Sequence, residues 1–284
     1  MIKLEDWHSH SELCHHAKGT IEDYIKKAID LNLATIGTCD HFPYEFLSNI
    51  ERIPYREYAI TVDEIEYYLT TCETLRKKYK NQINIRIGFE IDFFENQEAA
   101  LNIHLNKIKS RLDYILGSIH ILNFQDNKGA WGFDDKRFRK DYDYYGPDKV
   151  YMQYYKTQQK MLNSEHFDFD IVGHFDLPKK FNDFPNDKET IFNEAMKSLE
   201  LVKKRGIVIE INTGGLRKDV KEQYPSESLI KNMYELDIPV VLGSDAHDPS
   251  QIGWEFKSTI RKLKDIGYNQ LAHFEIRKKT FLEI

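Results

Sequence analysis

The sequence predicts an α/β fold in which a mostly parallel sheet is covered by helices. Two observations lead there. Short apolar, β-branched runs alternate along the chain with longer stretches of helical period. The runs are apolar, as strands buried between helices are. Seven such units suggest a barrel one short of the usual eight, with a doubly wound open sheet as the alternative. The 284 residues suit one domain spanning 1–284, because α/β barrels commonly use about 250 residues as one unit.

The elements follow in order. The first strand, 4–7, leads to a helix over 21–31, where Thr20 is placed to cap and Glu22 and Asp23 favour the positive end of the helix dipole. Ile21, Ile25, Ala28 and Ile29 make its apolar stripe. Strand 34–39 is followed by helix 62–79, strand 83–89 by helix 98–109, and strand 114–116, after a gap, by helix 149–162. Strand 170–172 precedes helix 188–204, strand 208–211 precedes helix 227–235, and strand 240–242 precedes helix 249–266. Residues 123–147, rich in aromatics, Asp, Lys and Arg, fit neither element. A stretch this long in a compact domain is usually functional or mobile, so it reads as a lid insertion.

Composition narrows the function. Hydrophobic residues make up 41% and charged residues 30% of the chain, as in ordinary globular proteins. The net charge of -6, without a block of like charges, argues against a nucleic-acid partner. Cys14, Cys39 and Cys72 are odd in number and lack CxxC spacing, which fits a reducing cytoplasm. The opening Met-Ile-Lys-Leu-Glu-Asp-Trp lacks the apolar core of a signal peptide, and no apolar run approaches the roughly 18 residues needed to span a bilayer. The oligomeric state is not legible.

The polar residues sit where a parallel barrel keeps its site, at the C-terminal ends of the strands. The first strand ends in His8-Ser9-His10, the second in Asp40-His41 and the third in Glu90. Ser118 and His120 close the fourth and His174 the fifth. Asn212 and Arg217 follow the sixth, and Asp245-Ala246-His247 the seventh. An isolated His after a strand is more often a hydrogen-bonded structural residue than a ligand. Six strand ends carrying His or carboxylate, all converging on one face, are different: burying so many ionisable groups together is costly unless cations organise them. Imidazole with carboxylate and no thiolate cluster points to Zn²⁺, Mn²⁺ or Fe. In His8-x-His10 alternate residues point to one side, so both can reach one ion. Cys14, beside His15 and His16, reads as a packed small residue.

The set His8-x-His10, His16, Asp40-His41, Gly88-Phe-Glu90, Gly117-Ser-Ile-His120, Gly173-His174 and Gly243-Ser-Asp245-Ala-His247 resembles the PHP (polymerase and histidinol phosphatase) family. The resemblance spans 7–249. It implies a distorted (β/α)7 barrel with about three divalent transition-metal ions. His8, His10, Glu90 and Asp245 would bind one, Glu90 would bridge to a second on His120 and His174, and His16, His41 and His247 would hold the third. Three further segments look like the histidinol-phosphatase branch, which converts L-histidinol phosphate to L-histidinol and phosphate in histidine biosynthesis. They are His10-Ser-Glu-Leu-Cys-His-His16-Ala, Gly173-His-Phe-Asp-Leu-Pro-Lys-Lys-Phe181 and Glu210-Ile-Asn-Thr-Gly-Gly-Leu-Arg217.

For such a reaction a metal-bridging hydroxide serves as nucleophile, and neither a GxSxG nor a Cys-loop phosphatase motif is present. Asp245, His247 and Asp40 are the expected catalytic residues, and the leaving alkoxide would be met by the third metal or by Asp40 or Asp176 as general acid. Arg217, then Lys179 or Lys180, would meet the phosphate. Glu12, Asp134 or aromatics of 123–147 would meet the amine and imidazole. The alternatives are another PHP-type phosphoesterase acting on nucleotides or DNA 3′ ends, an amidohydrolase, and a metal-binding regulatory module without catalysis.

Overall fold

Parallel strands alternate with helices in the computed structural model, which describes residues 4–284. The first three residues of the N-terminal stretch discussed above lie outside the described part. Strands β1 (Glu5–Asp6), β2 (Thr35–Thr38) and β3 (Asn84–Ile87) form one parallel sheet in that order. Strands β4 (Glu90–Asp92), β5 (Leu116–Ser118), β8 (Ile171–Val172), β9 (Val208–Asn212) and β10 (Val240–Gly243) form a second, in the order β10-β9-β8-β5-β4, again parallel. Between β5 and β8 lies a short antiparallel pair, β6 (Ile121–Leu122) and β7 (Trp131–Gly132).

The two parallel sheets meet at two places. The expected strand 83–89 runs as β3 and passes directly towards β4, and the His41–Glu90 bridge, with Phe42 N donating to Glu90 O at 2.9 Å, ties β4 to the chain after β2. On the other side Trp7 N donates to Leu242 O at 2.9 Å, and Ser9 bridges Ala246 in parallel. Trp7, Tyr114, Leu116, Ile171, Val208 and Val241 form an inner core. Gly37 and Gly88 are required there, because a Cβ at either would collide with the Tyr114 ring.

Helices cover the outside. Helix α1 (Ile21–Asp30) begins with the expected cap: Thr20 and Asp23 bond each other's backbone N–H reciprocally. Helices α2 (Ile65–Tyr79), α3 (Glu98–Ile108), α4 (Arg139–Tyr145), α5 (Pro147–Asn163), α6 (Lys188–Arg205), α7 (Glu227–Glu235) and α8 (Phe256–Ile266) follow. Expected helix 62–79 begins as a separate 3-10 turn, Val62–Glu64, and expected helix 249–266 splits into the turn Pro249–Gln251 and α8. The second break falls where Gly253 and Glu255 take positive φ, 64° and 56°. No helix is long and apolar enough to cross a membrane among the described residues.

Two regions carry elements without a periodic signal in the sequence. The stretch 123–147 carries β7 and α4, because its aromatics pack on one another: Phe124 stacks on Tyr145 at 3.9 Å, and Trp131, Phe133 and Tyr142 are buried. At the C-terminus, β11 (Gln270–Glu275) and β12 (Lys278–Glu283) form a hairpin whose Ala272 and Phe274 complete the inner core against Trp7. Its turn places Ile276 and Arg277 at positive φ, 49° and 62°, with neither Gly nor Asn to announce it.

Candidate metal centre

Glu90, at the start of β4 and 1% exposed, is the hub of the polar cluster. Its Oε2 lies 3.2 Å from His8 Nε2, 3.3 Å from His10 Nε2 and 3.3 Å from His41 Nδ1. Its Oε1 lies 2.9 Å from His174 Nε2 and 3.6 Å from His120 Nε2, and accepts from Ser118 Oγ at 2.6 Å. Two oxygens thus face five imidazoles delivered by the ends of different strands. Asp245, held at φ 51° just after β10, adds a second carboxylate 3.5 Å from His10 Nε2 and 3.4 Å from His247 Nδ1. His247 Nε2 in turn lies 3.0 Å from His16 Nε2.

The donors fall into groups tight enough to hold an ion: His8, His10 and Asp245; Glu90, His120 and His174; His10, His41 and His247. Hydrogen bonding accounts poorly for this arrangement. His8 and His10 face each other Nε2 to Nε2 at 2.9 Å, a contact that needs one protonated and one bare nitrogen. His10 Nδ1 and His174 Nδ1 are buried without a partner among the described residues. Neutral imidazole with carboxylate is the donor set of divalent transition metals, so the residues present fit such ions.

Electrostatics divides the cluster. Burial opposes ionisation of Glu90, but His41, His8 and His120 outweigh it and hold its carboxyl well below the usual range. Asp245 is held down likewise against burial, by His8, His10 and His247. Burial opposes a charge on His120, yet Asp92 and Glu90 raise it to about 10. On the far side burial and the neighbouring His10 lower His16 to about 4, and His41 and His247 are also driven well down, so these rings keep free lone pairs at neutral pH.

Two supporting carboxylates carry roles that the sequence does not assign. Glu210, wholly buried within β9, stands 2.7 Å from His8 Nδ1 and accepts from His174 N at 3.0 Å and Asn212 Nδ2 at 3.0 Å. With Glu210 against Nδ1, Nε2 is the ring nitrogen that points at Glu90. Asp92 does the same for His120, accepting from its backbone N at 2.8 Å with Nδ1 at 3.1 Å, and receives the Tyr44 hydroxyl. Gly243 is fixed by this packing, since a Cβ there would run into Glu210 and His8. The signals were present as a carboxylate inside an apolar strand, Val-Ile-Glu-Ile-Asn, and as the alternation Glu90-x-Asp92.

A cavity of about 510 Å³ opens above the cluster. His16, His41, Glu90, His120, His174, Asp245 and His247 line it, facing Tyr58, Asp134, Lys180, Phe181, Lys218 and Tyr224. Several expected residues stand elsewhere. Asp40 is buried behind His10, accepting from Ser11 N and Oγ, both at 2.5 Å, and burial raises its carboxyl to about 6. Lys179 is 2% exposed and its ammonium is saturated by Glu222 at 2.7 Å, Asp176 at 3.0 Å and Gln223 O at 2.7 Å, so neither it nor Asp176 reaches the cavity. Glu12 is solvent-exposed on the turn Glu12–Cys14, outside the cavity wall. Arg217 turns its Nη2 to the carbonyls of Ser244 and Asp245, at 2.8 and 2.9 Å. Lys180 does line the cavity, paired with Asp134 at 2.8 Å. His15, at φ 65°, faces Glu64 at 3.5 Å rather than the cluster.

The family model of the PHP domain matches residues 6–214. A Deinococcus radiodurans protein named probable histidinol-phosphatase is 32% identical over 267 residues, covering 94% of this chain and 95% of its own length. A Listeria monocytogenes structure, provisionally named a histidinol phosphatase, superposes with a TM-score of 0.81 at 28% identity, covering 89% of this chain and 99% of its own. The histidinol phosphate phosphatase of Lactococcus lactis, solved with zinc, L-histidinol and phosphate, has the same fold at a TM-score of 0.75 and 18% identity, covering 99% of this chain and 100% of its own.

Proposed function

From the premise that the chain belongs to the PHP domain family, we propose that it is a metal-dependent phosphatase that hydrolyses L-histidinol phosphate to L-histidinol and phosphate. The observation that carries this reading is one buried carboxylate, Glu90, ringed by five imidazoles beneath a cavity large enough for a small monoester. The substrate assignment draws on the 32% identical relative, matched over almost its whole length.

In this reading His8, His10, Glu90 and Asp245 would hold one ion, Glu90 with His120 and His174 a second, and His16, His41 and His247 a third. Zinc, manganese or iron would suit these donors. Bound together, such ions would lower the pKa of water towards neutrality and offset the charge on the phosphoryl oxygens. The chain's own part is preorganisation. Glu210 and Asp92 set the tautomer and tilt of His8 and His120. Arg217 holds the carbonyls that present Asp245. Of the expected catalytic residues, Asp245 and His247 line the cavity and Asp40 is sealed behind Ser11.

The two junctions between the parallel sheets support closure into a distorted (β/α)7 barrel within one domain. Residues 123–147 supply Gly132, Asp134, Asp135 and Lys136 to the cavity wall, which supports the lid reading. The free, buried thiols of Cys14, Cys39 and Cys72 suit the reducing cytoplasm in which we place the reaction.

A phosphate-release assay tests the proposal, with L-histidinol phosphate set beside nucleotide monophosphates and a short DNA strand. Preferential turnover of L-histidinol phosphate is expected. Preference for a nucleotide or a DNA 3′ end would replace the substrate, and no turnover of any of them in metal-loaded protein would leave a binding module.

A further inference from the structure

Three lysines line the cavity above the histidine cluster; Lys136 is solvent-exposed, while Lys180 and Lys218 are half-buried and close enough for each charge to act on the other. They are not equivalent. Lys180 is neutralised by Asp134 at 2.8 Å. Lys218 has neither an ion pair nor a side-chain hydrogen bond among the described residues, although Asp245 and Asp134 lie within electrostatic range. Burial, reinforced by Lys180, pushes its ammonium pKa down, so the fold keeps a half-buried cation in an unfavourable place.

The backbone fixes that place. Lys218 ends the turn Thr213–Arg217 that follows β9; its N donates to Gly215 O at 3.0 Å and its O accepts from Lys221 N at 3.2 Å. Its neighbour Arg217 gives Nη2 to the carbonyls of Ser244 and Asp245, keeps Nη1 buried without a partner among the described residues, and does not line the cavity. Carboxylates also line the cavity, but none pairs with Lys218; its ammonium, beside a second lysine, is left to meet an anion, and a phosphate monoester near neutral pH brings a charge of about −1.5 to −2.

We propose that Lys218 is the phosphate-binding cation of the cavity, its ammonium meeting the phosphoryl oxygens directly while Arg217 acts as a positioning residue for Asp245. The inference deepens the phosphatase reading and rests on it.

The test uses metal-loaded full-length protein and the substitutions Lys218→Met, which keeps the apolar stem, and Lys218→Arg, which keeps the charge. Titration calorimetry with inorganic phosphate and, separately, with L-histidinol reads binding without turnover; KM is read with L-histidinol phosphate and with p-nitrophenyl phosphate. Loss of one charge-assisted contact should weaken phosphate binding and raise KM by about tenfold to a hundredfold in Lys218→Met. L-Histidinol binding should stay within about twofold, metal content should be unchanged, and Lys218→Arg should recover most of the loss. Equal weakening of both ligands, no weakening of phosphate, or loss of metal in Lys218→Met would each overturn the assignment. If the unsubstituted protein binds phosphate yet turns over neither monoester, the phosphatase reading fails, and calorimetry alone still decides Lys218.

Discussion

His15 and His16 are adjacent, and the backbone sends them to different places. His15 takes the left-handed conformation at φ 65° and faces Glu64, while His16 has Nδ1 2.8 Å from Cys14 O and turns Nε2 to within 3.0 Å of His247. We expect His16→Asn to lose about one bound ion and at least about a hundredfold in activity, with His15→Asn keeping both. Elemental analysis of each variant, beside its kcat, checks this; the reverse pattern would shift the ligand by one residue. Glu210 makes a second prediction at this scale. Glu210→Gln can still accept at one atom, but it no longer fixes His8 by charge. Metal affinity measured by chelator competition should fall about tenfold to a hundredfold, and unchanged affinity would reduce Glu210 to a packing role.

At the scale of elements, the strand ends decide the site and the helix contacts hold those ends in place. Helices α1 and α2 are clamped by Glu22, which accepts from Lys78 Nζ at 2.6 Å and the Tyr79 hydroxyl at 2.5 Å. Those bonds lower its carboxyl from 4.5 to about 2. An acid with a depressed folded-state pKa binds fewer protons folded than unfolded, so its contribution is complete above 4.5 and is lost as pH falls towards 2. The clamp is partly exposed, so Glu22→Gln should cost less than about 1 kcal/mol near neutral pH. Denaturant titrations of wild type and variant from pH 7 to pH 3 should show the gap shrinking below about pH 4.5. A gap that widened on acidification would contradict the assignment.

For the whole molecule, the cluster is a concentration of buried charge that its own hydrogen bonds only partly compensate. Glu90, Asp245 and the imidazoles around them are brought together by β1, β2, β4, β5, β8 and β10 and the loops that follow them, so ions bound there would also tie the fold together. Chelation should therefore abolish activity and lower the melting temperature. Ions at a hundredfold over Kd contribute about 3 kcal/mol of stability, which corresponds to a shift on the order of several degrees. Readdition of Mn²⁺ or Zn²⁺ should restore both. Chelated protein that kept full activity, with metal verified absent, would remove the metal-dependent mechanism.

What the sequence alone determined were the features set by local period and by residue type. The alternation of apolar runs with helical stripes is written in neighbouring residues, so the parallel α/β order, the α1 cap and the bounds of α7 were legible. The ligand types were legible too, because a parallel sheet brings its strand ends to one face whatever its closure. The tertiary structure decided what depends on contacts between distant segments. Glu210 meets His8 across 202 residues, Arg217 turns to the carbonyls after β10, and Lys179 is consumed by Glu222. The hairpin β11–β12 takes its place by packing Ala272 and Phe274 against Trp7 and its neighbours. A charged side chain has no periodic signature. Whether it faces a ligand, a carbonyl or another charge is settled by which partner the fold brings within reach of it.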